Sequence, residues 1–211
     1  MHPEAERLFS ADQLLRKEAD AMLVASGIGE ALKKAGYHAV GSYRMHTMTW
    51  RDLDFERYEE PDWRRHWEVG TQLAETGWCV RLQCIDVYRE AWAEAQPDFG
   101  LYWGVRVADP HRLQSARPGD PRMWKLDLWT ARREEFTPAL PKRETWASLM
   151  TDEKRSYVLA IKEAVCMEPE YRKSLLSVHV YEAVLEHDVR DLESFRAWRQ
   201  ARAGASKEGA P

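Results

Sequence analysis

The chain has 211 residues, of which 44% are hydrophobic and 31% charged, with 11 glycines and 10 prolines. That composition fits one compact domain with a small helical appendage and excludes collagen, low-complexity sequence and wholesale disorder. A formal net charge of -4, from 31 basic and 35 acidic residues, argues against a dedicated nucleic-acid binder, because phosphate contacts need clustered Lys and Arg. No run is apolar for long enough to span a bilayer, no apolar leader follows Met1, and three cysteines are too few for a disulfide framework. A reduced, cytoplasmic chain is the expectation.

In chain order, Ser10 reads as the N-cap of a helix over 11–25, with Leu14, Leu15, Ala19, Met22 and Leu23 on one face. Gly27 and Gly29 break it, and a short helix over 30–35 stops at Gly36. A strand over 37–43, a polar loop and a strand over 52–58 follow. Pro61 suits the first turn of a helix reaching residue 76, where Gly77 ends it. Residues 78–88, 100–107 and 124–131 have strand character, and the proline-rich stretch 109–121 reads as loop. Beyond Pro138 and Pro141 the pattern turns helical over 145–166, 169–187 and 191–202. The expectation is α+β: a mixed β-sheet core over 1–137, a C-terminal helical region over 138–202 and a disordered tail over 203–211.

The informative segment is Val40-Gly41-Ser42, a nine-residue loop, then Asp52-Leu53-Asp54-Phe55. Side chains alternate along a strand, so Asp52 and Asp54 share one face while Leu53 and Phe55 turn into the core. Adjacent carboxylates repel, and a fold that keeps them together commonly supplies a cation. Hard oxygen ligands suit Mg²⁺, which takes one or two carboxylates plus phosphate oxygens. Gly41, without a Cβ, lets a phosphate approach the backbone, where N–H groups and the Ser42 hydroxyl can donate. The candidate third carboxylate is Asp127 in Trp124-Lys125-Leu126-Asp127-Leu128-Trp129, where Lys125, Asp127 and Trp129 share a face. Asp86 in Ile85-Asp86-Val87 is the rival, on a strand with a less regular apolar face.

These residues resemble the signature of the nucleotidyltransferase superfamily typified by DNA polymerase β. That signature is a hydrophobic-Gly-[Gly/Ser] turn, a short loop, Asp-hydrophobic-[Asp/Glu]-hydrophobic, and a later strand with an acidic residue between hydrophobics. The resemblance spans about residues 28–131. The helices that follow are similar in character to those of small antibiotic-modifying members, the aminoglycoside and lincosamide nucleotidyltransferases. The resemblance implies transfer of a nucleoside monophosphate from an NTP to a hydroxyl, with release of pyrophosphate. It implies Asp52, Asp54 and Asp127 as catalytic Mg²⁺ ligands, with Gly41, Ser42 and Arg44 at the nucleotide and a small molecule as acceptor. Asp127 serves either as a ligand to a second metal or as general base.

Many members carry Arg-Gly soon after the glycine-serine turn, and the loop here has no glycine. Arg44 and Arg51 are its basic candidates for phosphate contact. This departure keeps a second reading open: a nucleotidyltransferase-fold binding or regulatory protein, antitoxin-like, with little or no catalysis. Trp103 and Trp129 are candidates to stack on a base, with packing the stronger expectation for both. Glu182 and His179 could line an acceptor pocket, though an exposed helical face is the simpler reading. Gly27-Ile28-Gly29 follows no strand and lacks the third glycine of a dinucleotide loop. No P-loop or HExxH helix occurs, and Cys79 and Cys84 have no matching pair for zinc.

Overall fold

The structure, a computed structural model, describes residues 1–89, 100–110, 122–136, 139–171 and 174–208. It is α+β, as expected, with one mixed five-stranded sheet and helices that include the C-terminal ones. Its contacts form two units, Leu14–Lys142 and Met1–Gln13 with Arg143–Pro211. Helix α1 (Ala5–Ala25) begins in the helical unit and ends in the sheet unit.

In the sheet unit, the end of α1 is followed by α2 (Ile28–Lys34), β1 (His38–Val40), α3 (Gly41–Arg44) and β2 (Asp52–Tyr58). Then come α4 (Trp63–Glu75), β3 (Cys79–Asp86), β4 (Leu101–Val107) and β5 (Trp124–Ala131). The strand order is β1-β2-β5-β4-β3, with β2 and β5 parallel and the other pairs antiparallel. The period-two pattern decides which face is core. Leu53, Phe55, Trp103, Val105, Leu126 and Leu128 all turn to one side and are buried against residues such as Met22, Ile28, Leu32, Val69 and Leu73 of the helices. The opposite side carries Asp52, Asp54 and Glu56 on β2, Lys125, Asp127 and Trp129 on β5, and Tyr102, Gly104 and Arg106 on β4.

Helix α4 starts two residues later than the proline suggests. Asp62 caps it, its side chain accepting from the backbone of Arg64 and Arg65 at 2.7 and 3.1 Å. The loop expected over 109–121 lies outside the described residues beyond Pro110.

In the helical unit, α1 starts at Ala5, so Ser10 is an exposed helical residue and not a cap. Buried Ala5 and Leu8 extend the apolar stripe, and Arg7 ties the first turn by pairing with Glu4 (2.7 Å) and Glu163 (2.9 Å). A helix α5 (Ala139–Leu149) and a helix α6 (Asp152–Val165) replace the single helix expected over 145–166. Thr151 causes the break: its side chain accepts from the Lys154 backbone at 3.2 Å and opens a new helix with Asp152 and Glu153 in its first turn.

Helix α7 (Ser177–His187) begins eight residues after Pro169, because the chain first makes a bridge between Tyr171 and Leu175. Leu176, despite its apolar side chain, is the exposed N-cap residue of α7. Helix α8 (Leu192–Glu208) runs past the expected end at 202 into the stretch expected to be a disordered tail; residues 209–211 lie outside the described residues. Val158, Ile161, Val165, Val184, Leu185 and Phe195 form the apolar interior of this unit. No helix among the described residues is long and apolar enough to cross a membrane.

Candidate functional site

Sheet register builds the site. Asp54 on β2 is the direct cross-strand partner of Asp127 on β5, and Asp52 is the partner of Lys125. Two separate sequence segments, 73 positions apart, thus place three carboxylates and one ammonium on adjacent positions of one sheet face. The apolar partners Leu53, Leu126 and Leu128 lock that register, since a one-residue slip would put each of them on the polar side.

The glycine-serine turn is the third component. Val40 pairs with Asp54, so the chain leaves β1 beside that carboxylate. The strand expected to reach residue 43 ends at Val40 because Gly41 takes a left-handed φ of 63° and turns the chain into α3. The Met45 N–H closes this turn on the Gly41 carbonyl at 3.1 Å. A Cβ at Gly41 would lie 3.1 Å from Asp54 Cγ and overlap its Oδ2. Ser42 is half-buried and Arg44 exposed, both in α3. Arg51 is committed elsewhere: its Nε and Nη2 donate to the Glu18 carboxylate at 2.6 and 2.8 Å.

The carboxylates are held by named donors. Trp50 Nε1 donates to Asp52 Oδ2 at 3.1 Å, and Tyr102 Oη donates to Asp127 Oδ1 at 2.7 Å. Lys125 Nζ lies 3.2 Å from Asp52 Oδ1 and donates to Asp127 Oδ2. The ammonium therefore faces one oxygen of each aspartate while Trp50 and Tyr102 take the other. Gly104, the cross-strand partner of Asp127, makes room for this: a Cβ there would sit 2.7 Å from the Tyr102 hydroxyl, which must pass over it to reach Asp127. Burial lowers the Lys125 pKa, but Asp52, Asp127 and Asp54 outweigh it and hold the ammonium above its ordinary value. Burial and the neighbouring Asp127 push the Tyr102 hydroxyl up, so it stays a donor.

The rival Asp86 sits on β3, at the far edge of the sheet. Trp63 Nε1 donates to it at 3.3 Å, it accepts from the Tyr88 backbone at 3.1 Å, and Arg89 pairs with it at 3.2 Å. It is not brought to Asp52 and Asp54. Trp103 faces the core, is buried, and donates to the His66 carbonyl at 3.0 Å. Trp129, by contrast, stands on the Asp127 face with its ring 4.8 Å from that of Tyr102. In the helical unit, His179 Nδ1 accepts from the Leu176 backbone at 3.2 Å, a capping role. Glu182 pairs with Arg202.

Three aspartates and no histidine or thiolate form a hard-oxygen donor set, which fits Mg²⁺ or Mn²⁺ better than zinc. Among the described residues one group of three ligating side chains has all its ligand atoms within 4.8 Å, and it is Glu182, Glu186 and His187. The aspartate trio is not closed to that degree, and the Lys125 ammonium stands among its oxygens. Sequence reading missed Tyr102, Trp50 and the bridging role of Lys125. The glycine inside the β4 pattern is the one signal that pointed to a close approach there. Comparison of the chain with protein-family models and with curated proteins finds no match.

Proposed function

We propose that this protein is a Mg²⁺-dependent nucleotidyltransferase that moves a nucleoside monophosphate from an NTP to a hydroxyl of a small-molecule acceptor. The observation that carries the reading is the cross-strand pairing of Asp54 with Asp127, with Asp52 on the same face and the Gly41 turn pressed against Asp54. Asp52, Asp54 and Asp127 would hold the divalent ions; when bound, these neutralise the triphosphate and make the acceptor hydroxyl more acidic. The remaining steps belong to the chain. The Gly41 turn admits a phosphate close to the backbone, and Ser42 and Arg44 donate to its oxygens. The acceptor oxygen forms a bond to the α-phosphorus as the bond to pyrophosphate breaks, and its proton passes to Asp127 or to solvent. Tyr102 keeps Asp127 oriented through the bond to Oδ1.

A second reading is favoured by one observation, the Lys125 ammonium within the carboxylates. A regulatory, antitoxin-like protein on the same scaffold would keep that position permanently closed.

The two readings separate by thermal unfolding with each NTP, with and without Mg²⁺. For the enzyme, an NTP at about a hundred times its Kd adds about 2.7 kcal/mol, roughly 5–10 °C in melting temperature, only when Mg²⁺ is present. Asp54→Asn should abolish this shift and the transfer of label from α-phosphate-labelled NTP. Equal transfer by wild type and Asp54→Asn removes the residue assignment, and no shift with any NTP and metal favours the regulatory protein.

A further inference from the structure

We propose that Lys125 is a resident counter-cation that bridges Asp52 and Asp127 in the metal-free protein and is displaced when a divalent ion enters. The proposal rests on the reading of these aspartates as metal ligands. The geometry supplies the reason. Lys125 lies directly across from Asp52 and two residues before Asp127 on the same strand face. Its four-carbon stem therefore reaches both carboxylates without leaving the sheet surface. It faces Asp52 Oδ1 and Asp127 Oδ2, while the opposite oxygens stay fixed by Trp50 and Tyr102. Asp52 and Asp127 would hold an ion in place of the ammonium, and the hydrogen bonds from Trp50 and Tyr102 would keep both carboxylates oriented.

Charge favours the exchange. Three carboxylates and one ammonium leave the cluster with a net charge of -2, and replacing the ammonium by a divalent ion lowers the excess to -1. An ammonium is a point charge on a flexible stem and its side chain is 23% exposed, so it can swing to water or to a phosphate without an unpaired charge being buried. A guanidinium, planar and bidentate on carboxylates, would be far harder to dislodge.

The test uses Mn²⁺ alone as probe on the full chain. Lys125→Met keeps the stem and removes the competitor. It should melt at a lower temperature than wild type without metal, yet bind Mn²⁺ about tenfold more tightly, because no ammonium has to leave. A wild-type measurement stands beside it, in case the variant does not fold. Acetylation of Lys125 by acetic anhydride, read by mass spectrometry, should speed up about threefold when Mn²⁺ is added. It should not do so in Asp54→Asn. Mn²⁺ affinity that is unchanged or weaker in Lys125→Met, or Lys125 acetylation indifferent to Mn²⁺, overturns the proposal while Asp54-dependent Mn²⁺ binding by wild type leaves the metal site standing. Absence of Mn²⁺ binding in both wild type and Lys125→Met overturns the metal-site reading, and this proposal with it.

Discussion

Gly41 and Asp54 show how single residues bear the site. The motif called for a small residue at position 41 so that a phosphate could come near. The structure adds a second demand: the turn passes so close to Asp54 that a methyl group at 41 overlaps its carboxylate. Left-handed backbone makes the cost double for any L side chain. Gly41→Ala should therefore lose about 1–3 kcal/mol of stability in denaturant titration, together with the NTP-dependent stabilisation that the proposed function calls for. A variant that keeps both would show that the turn is looser than described. The aspartate pair and its apolar partners were legible in sequence, because alternation is a local property. Tyr102, Trp50 and Lys125 as partners of those aspartates were not, because each contact is fixed by strand register and not by spacing.

At the scale of elements, strands were easier to read than helix ends. β2 and β5 begin and end at the expected residues because Gly, Pro and polar stretches bound clean alternating patterns. The helices erred at caps. Ser10 has the chemistry of an N-cap, yet the helix passes through it, since Ala5 and Leu8 gain more from burial than the cap would supply. Thr151 has the same chemistry and does cap, because the periodic face pauses there and Asp152 and Glu153 follow. Thr151→Ala should cost about 1 kcal/mol, measured as a lower denaturant midpoint with an unchanged slope. A change within error would mean that α6 is held by its packing alone. Asp62 plays the same part at α4, where Pro61 had drawn the expected start too early.

On the scale of the whole molecule, stability should respond to pH through one buried imidazole. His66 on α4 is wholly buried, its ring stacked 5.2 Å from Trp103. Burial pushes its pKa down to about 4, against an opposing pull from the Tyr102 backbone. The unfolded chain, with an ordinary histidine near pH 6.5, then binds the proton that the folded chain refuses. Stability from this group is complete above about pH 6.5 and is lost as pH falls towards 4, a change of about 3 kcal/mol. Paired carboxylates such as Glu163, held low by its bond to Arg7, act at the acid end of that window and below it. Near-ultraviolet melts should show the sheet unit losing stability between pH 6.5 and 4.5, and His66→Phe should flatten that slope. An equally steep slope in the variant would place the titrating group elsewhere.

By itself the sequence determined the α+β class, the strand segments 52–58 and 124–131, and the grouping of Asp52 with Asp54, because composition and alternation act within a few residues. Only the tertiary structure decided that Asp127 and not Asp86 stands beside them, that Arg51 is spent on Glu18, and that an ammonium lies among the carboxylates. Those outcomes depend on which strands become neighbours and in what register. That is settled by burying Leu53, Leu126 and Leu128 together, a free energy no short segment of the chain carries alone.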